Sequence, residues 1–459
     1  MQKLDGYLNV DPTMSPFQHG EVFVTDDAET DLDLGHYERF IDKDLNSFAS
    51  FTSKFFEEIL KRERDYYLKT VQIIPHLTNL VKETIKEAYV SNNAEILIVE
   101  ITVDLENGYL LESARELRNE LKENVLFVHV TLLPYLEVSK ELKTKPTQHS
   151  LRQLMSFIIP DFLFLRADKL IDDELVEKIA YMCSMDKNCV IPSETLKSIY
   201  EVPLKYNDKG VALILEKLKL ENKFDLSKWE KLRENIVNSK KEIKIMVKYN
   251  LEDSYYSLNE LKIAFENNCK VNLVFIDAEK IEKKIELLQL DICVPFNRIE
   301  MIGACNYARV NNIPYLVCLG SQIMSIEFAR NVLLVDANSE EFDIKSENKV
   351  VHLMESQKCI YKKTMRLSYP CTIKKTLAYI VYEEEITERH RHRFEFNNLY
   401  REVMEKNFVV SKSPNELAEI VEVKNHPYMI SQFHPEFKSR PTKSHPLFHN
   451  FVKSILQIK

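Results

Sequence analysis

The order of apolar runs predicts an α/β protein built from two domains. Three observations carry this. Short apolar runs alternate with helix-like stretches in both halves of the chain. A charged, helix-prone stretch from Asp225 to Lys241 separates those halves. At 459 residues, 45% apolar and 29% charged, the chain has globular composition and the length for more than one core.

In the first half, Ala94–Ile101, Val125–Thr131 and Asp161–Arg166 read as buried strands. The stretch Leu110–Lys122 between the first two has helical spacing. Strand, helix, strand in that order implies a mostly parallel sheet with crossover helices. The boundaries that follow are a first domain over 1–222, a linker helix over 223–241 and a second domain over 242–459. Strand-like runs resume at Ile243–Val247, Val271–Ile276, Asp291–Val294 and Tyr315–Cys318. Neither an internal repeat nor a low-complexity segment interrupts them.

Composition narrows the function. A net charge of −9 argues against general binding of nucleic acid or anionic membrane. No uncharged apolar run reaches bilayer-spanning length, and the start lacks a basic-then-apolar leader, so the sequence reads as cytoplasmic. The eight cysteines are scattered among apolar neighbours, which suits a reducing compartment without disulfides. Glycine is the anomaly. It occurs 7 times, where average usage predicts roughly thirty. Few loops here can take positive φ or approach a phosphate closely.

The chemistry concentrates in two stretches. The apolar run Tyr315–Val317 leads into Cys318, with Gly320 and a helix-like pattern behind it. That is how a nucleophile is mounted on a sharp strand-to-helix turn, its thiolate favoured by the helix N-terminus. Taken alone, Cys318 would more often be a buried thiol. Downstream, His434 and Glu436 lie two residues apart and face one way in an extended segment. Glu436 would then orient His434, and His434 would serve Cys318 as base. The set Cys318, His434 and Glu436 resembles the catalytic triad of class I glutamine amidotransferases, which release ammonia from glutamine.

Longer runs point to one family. Val10–Phe40, Thr70–His76, Lys143–Ser150, Asp336–Phe342, Glu388–Glu395 and the His434 segment each resemble CTP synthases, in that family's order and over nearly the whole chain. The resemblance implies a P-loop-type amidoligase domain followed by a Rossmann-like, flavodoxin-like class I glutamine amidotransferase domain. It implies amination of UTP to CTP, with ATP as co-substrate, Mg²⁺ as cofactor, glutamine as ammonia source and CTP as feedback inhibitor. Homotetramers and filaments are the family's assemblies.

Residue roles follow by the same resemblance. Asp33 and Glu100 match Mg²⁺ ligands, and carboxylates with phosphate oxygens suit that ion. Lys3, Asp33 and Arg166 match the ATP site; Arg166 alone would equally be a structural ion-pair residue. Lys143, Lys145, Gln148 and Lys178 match the UTP site, where point charges suit a triphosphate. Asp104 and Glu106 match contacts to inhibitory CTP. Gln322, Glu341 and Arg393 match the glutamine site; without the family, Arg389–Arg393 would read as a solvated basic loop.

The departures share one character, the loss of glycine. The family's first strand and Gly-Lys-Gly phosphate loop precede the segment that matches Lys3, and this sequence starts at that segment. Asp11-Pro12-Thr13, Ile101–Glu106 and Val294–Arg298 each lack family glycines. The last matches a loop that donates an N–H to the oxyanion, and losing such a donor costs about 10²–10³ in kcat. The strand into Cys318 is one residue short, and Ser321 stands where methionine is usual. Three explanations remain open: lost catalysis on a kept scaffold, an altered loop geometry that works, or an incomplete or altered reading of the gene. The expectation is an impaired CTP synthase. The alternative is a non-catalytic homologue acting as a regulatory or filament subunit.

Overall fold

The computed structural model describes residues 1–6, 22–23, 29–30, 32–51, 54–102, 107–205, 210–223, 225–238, 242–248, 270–276, 292–294, 302–313, 315–317, 321–353, 369–372, 385–390, 392, 394–413, 416–424 and 428–449. The fold is α/β, as the alternation of runs predicts. The chain divides into two compact units. Unit 1 comprises Met1–Val10 and Ser50–Arg233, and unit 2 comprises Asp11–Ala49 and Glu234–Lys459. Residues 11–49 thus cluster with the second unit, although their sequence neighbours on both sides belong to the first.

Among the described residues, unit 1 holds two parallel three-stranded sheets and the short antiparallel pair Tyr135–Leu136 and Glu141–Leu142. The first runs in the order Ser50–Phe51, Gln2–Leu4, Val99–Ile101, with Lys3 in register with both Ser50 and Glu100. Its strand Val99–Ile101 is shorter than the apolar run that begins at Ala94, because its partner Gln2–Leu4 offers only a short ladder. Helices Thr78–Ser91 and Gly108–Leu121 close this core over Leu4, Phe55, Val81 and Leu110. Helix Thr78–Ser91 buries Leu80, Val81, Thr84, Ile85 and Ala88, a stripe at three- and four-residue steps.

The second sheet runs Val190–Glu194, Phe162–Ala167, Val128–Leu132. Helices Lys145–Leu154 and Asp173–Met182 supply Leu151, Val176 and Ile179 to its core. Asp172 starts the latter helix by accepting from the Leu175 N–H at 2.8 Å. On Val128–Leu132, His129 and Thr131 face helix Lys145–Leu154, bonding Ser150 and Thr147 at 3.0 Å each. Val128, Val130 and Leu132 alternate to the other face and are exposed.

Unit 2 is organised on a nine-stranded sheet. Its order is Lys270–Ile276, Glu242–Lys248, Ile292–Val294, Tyr315–Val317, Tyr428–Ser431, Ala418–Val423, Phe408–Lys412, Tyr369–Thr372, Glu385–Glu388. The first five strands are parallel and the remainder antiparallel. Helices Ile302–Val310 and Ser321–Asn331 contribute Ala304, Cys305, Ala308, Ile323, Met324 and Phe328 to a core shared with Phe408 and Val410. Arg309 locks the two helices by a fork onto buried Glu327, at 2.8 and 3.0 Å. A smaller sheet pairs Ala337–Ser339, Asn348–Leu353 and Phe394–Phe396.

Candidate active site

The residues expected to hydrolyse glutamine belong to unit 2. Strand Tyr315–Val317, which in sequence immediately precedes Cys318, lies parallel to Tyr428–Ser431, which precedes His434. The register pairs Tyr315 with Tyr428, Leu316 with Met429 and Val317 with Ile430. Two segments more than a hundred residues apart in sequence are therefore adjacent strands running the same way.

His434 follows the second strand and is 3% exposed. Its N–H donates to the Arg389 carbonyl at 2.9 Å, and its own carbonyl accepts from the Phe437 N–H at 3.1 Å. Its ring stacks on Phe437 with centroids 5.1 Å apart and 18° between planes. Backbone bonds on both sides and a ring on one face fix where the imidazole can point. Glu436 sits in the short 3₁₀ turn Pro435–Phe437 that follows.

Arg389 and His390 are buried, so these two residues of the Arg389–Arg393 run do not form a solvated loop. His390 Nε2 lies 3.5 Å from Glu419 Oε2, and its ring meets His392 edge-on at 5.2 Å. Burial, and then the nearby His392 and His434, push the His390 pKa well below the ordinary imidazole value. His390 is thus a neutral neighbour of His434. Close by, His445 Nε2 pairs with Glu388 Oε1 at 3.0 Å. Sequence reasoning gave no role to His390, Glu419 and His445. The available signal was the density of ionisable groups in Glu388–Glu395, and nothing in that run names their partners.

The other expected glutamine-site residues are placed unevenly. Glu341 is exposed in the turn after Ala337–Ser339, its N–H donating to Ser339 Oγ at 3.2 Å. Gln322 lies in the first turn of helix Ser321–Asn331. Cys318 and Arg393 lie outside the described residues, as do the side chains of Gln322 and Glu436 and the whole of Asp104 and Glu106.

Of the expected pyrimidine-nucleotide residues, Lys143, Lys145, Gln148 and Lys178 lie among the described residues of unit 1. Lys143 pairs with Glu141, whose pKa is lowered by that bond first and, more weakly, by the charge of Lys178. Gln148 reaches Thr144 at 3.1 Å and Met182 at 2.9 Å, the latter on the helix that carries Lys178. Lys145 opens helix Lys145–Leu154, and both Lys145 and Lys178 are exposed. Lys143 and Lys178 thus both act on Glu141. On the first sheet, Lys3 is buried 3.7 Å from Asp5 and neighbours Glu100 in the ladder. Arg166 donates to the Ser193 carbonyl at 3.1 Å through one terminal nitrogen and to Thr195 Oγ1 at 3.5 Å through the other.

Asp33 and Glu100 carry hard oxygen donors that suit Mg²⁺. Asp33 is half-buried in the first turn of helix Leu32–Ile41, and Glu100 is exposed on its strand. They belong to different units. Among the described residues, no group of three or more His, Cys, Asp or Glu is gathered to hold a metal ion. No helix among them is long and apolar enough to cross a membrane.

Comparison with known proteins defines the class in two parts. The family description "CTP synthase N-terminus" matches residues 1–220, and "Glutamine amidotransferase class-I" matches residues 250–454. A synthetase half joined to a glutaminase half is the make-up of a glutamine-dependent amidoligase. The CTP synthase of Carboxydothermus hydrogenoformans is 47% identical over 494 residues, covering 100% of this chain and 92% of that protein. The CTP synthase of Bacillus subtilis is 45% identical over 491 residues, covering 98% and 91%. This chain belongs to the CTP synthase family. The 494 residues matched in the first case exceed the 459 of this chain, so some positions of that relative have no counterpart here.

Proposed function

We propose that this chain is a glutamine-dependent CTP synthase, which aminates UTP to CTP with ATP and with ammonia taken from glutamine. The observation that carries this is the parallel pairing of the strands leading to Cys318 and His434, in a chain whose halves both match the family. Cys318 Sγ attacks the glutamine amide carbon, forming a C–S bond. His434 takes the thiol proton and returns it to the nitrogen as the C–N bond breaks, releasing ammonia. Water activated by His434 then splits the thioester to glutamate and restores the thiol. Glu436 orients the imidazole, while Gln322, Glu341 and Arg393 hold the substrate's polar ends.

In the synthetase half, the γ-phosphoryl group of ATP passes to O4 of UTP. Ammonia adds at C4 and phosphate leaves. Lys143, Lys145, Gln148 and Lys178 bind the pyrimidine nucleotide, Lys3, Asp33 and Arg166 bind ATP, and Asp104 and Glu106 contact CTP as inhibitor. Asp33 and Glu100 would hold Mg²⁺, which would supply charge neutralisation to the phosphates. The working form is a cytoplasmic homotetramer, with filaments as a further assembly.

The activity is weak for glutamine, because Val294–Arg298 lacks the glycines of an oxyanion loop. That observation also supports a second reading, a regulatory or filament subunit that does not catalyse. Assaying each half-reaction on purified protein separates the two. The first reading expects ammonia-dependent CTP formation well below that of intact relatives, and glutamine-dependent formation lower still. Zero turnover from both nitrogen sources, with UTP still bound, rules out the first and is the outcome the second expects.

A further inference from the structure

The backbone bond that holds His434 comes from Arg389, and Arg389 is itself held from far away in the chain. Its guanidinium, 3% exposed, donates to Glu38 through both terminal nitrogens, at 2.8 and 3.1 Å. Asp44 accepts a further contact at 3.0 Å. Glu38 is fully buried and also accepts from the Leu45 N–H at 2.7 Å. These partners lie 351 residues apart in sequence, within unit 2.

The same acids hold a second arginine on the other side of the histidine. Arg440 pairs with Asp44 at 2.6 Å and approaches Glu38 at 4.0 Å. It donates to the carbonyl of Phe437 at 3.1 Å, and Phe437 is the residue on which His434 stacks. His434 is therefore bracketed by two backbone segments, each tied through an arginine to helix Leu32–Ile41 and the turn after it.

We infer that Glu38 is a positioning residue for glutamine hydrolysis, acting through Arg389 on His434. A bidentate carboxylate–guanidinium fork fixes geometry as well as charge. Buried, it cannot trade its partner for water without leaving an uncompensated charge. A base misplaced by about 1 Å costs on the order of 10²-fold in rate, so an anchor linked to His434 through two successive hydrogen-bonded contacts controls chemistry without touching substrate. This inference rests on the glutaminase reading of His434.

The test uses the full chain in four forms: unchanged, Glu38→Gln, Arg389→Met and the double variant. Glu38→Gln keeps the side chain's shape and an oxygen for the Leu45 N–H while removing its charge. Glutamine hydrolysis should fall by about tenfold to a hundredfold in kcat, with KM for glutamine held within about twofold. The double variant should be no slower than the slower single variant, since both act along one path. The imidazole NMR signal of His434, assigned by its loss in His434→Ala, should be single in the unchanged chain and shifted or doubled in Glu38→Gln. An unmoved His434 signal, an unchanged kcat, or additive losses in the double variant would overturn the inference. If Glu38→Gln does not fold, Glu38→Asp keeps the charge and shortens the reach, and the same NMR and kcat outcomes decide. Should the unchanged chain not hydrolyse glutamine at all, the glutaminase reading fails, and the NMR comparison still decides whether Glu38 positions His434.

Discussion

The two candidate sites handle charge in opposite ways. In unit 1 the nucleotide lysines sit at the surface: Lys145 and Lys178 are exposed, and Lys143 pairs with an exposed Glu141. In unit 2 the groups around His434 are buried: Glu38, Arg389, His390, Glu419 and His434 are each under 4% exposed. Surface charges are already solvated and can exchange water or a weak partner for a phosphate at little cost. Buried charges must be paired where they stand, so they serve as fixed scaffolding. On the proposed reading, the difference would separate a region that meets a mobile, highly charged ligand from one that holds a base still.

The sharpest way to break this comparison is at the base itself. His434→Ala should reduce glutamine hydrolysis by about 10²–10⁴-fold and slow the labelling of Cys318 by a glutamine-like alkylating analogue. Ammonia-dependent CTP formation should persist at its own level, and its loss would mean that His434 does more than serve the glutaminase.

A second prediction uses acid to probe burial in unit 2. Burial, with the charge of Arg39, depresses His36 from 6.5 to about 4, although Asp33 pulls the other way. The unfolded chain then binds a proton at a higher pH than the folded one. Stability is complete above pH 6.5 and is lost as pH falls from there through about 4. A shift of that size corresponds to a loss on the order of 3 kcal/mol. Urea unfolding at pH 7 and pH 4.5 should show much of this loss, and His36→Gln should flatten it. An equally steep acid response in His36→Gln would assign the effect to other groups.

The smallest effect is expected at the surface. Lys145→Ala should weaken UTP or CTP binding by about 1.5–3 kcal/mol if the lysine meets phosphate, read by calorimetry. The same change should leave the melting temperature nearly unmoved, since an exposed charge contributes within about 0.5 kcal/mol to stability. A large drop in melting temperature would show that the unit 1 lysines are scaffolding too, and the contrast between the sites would fail. Raising salt should weaken nucleotide binding more than glutamine hydrolysis, because screening acts on exposed charges.

The α/β class was legible because both halves alternate apolar and amphipathic stretches, a pattern that only strands and crossover helices satisfy. His434 stood out in the sequence through Glu436 two residues on, since residues two apart in an extended segment face one way. The strand limits were less so: Ala94–Ile98 reads as strand, yet the ladder begins at Val99 because its partner is short. Sequence also left Arg389 with the choice between solvated loop and site. Its burial and its pairing with Glu38 are properties of two segments 351 residues apart, and no local pattern encodes such a distance. The sequence by itself thus determined the family, the order of elements and the chemical groups available, because these depend on residue types at short spacing. The tertiary structure alone decided which charges face water and which are locked together, because desolvation is set by everything packed around a group.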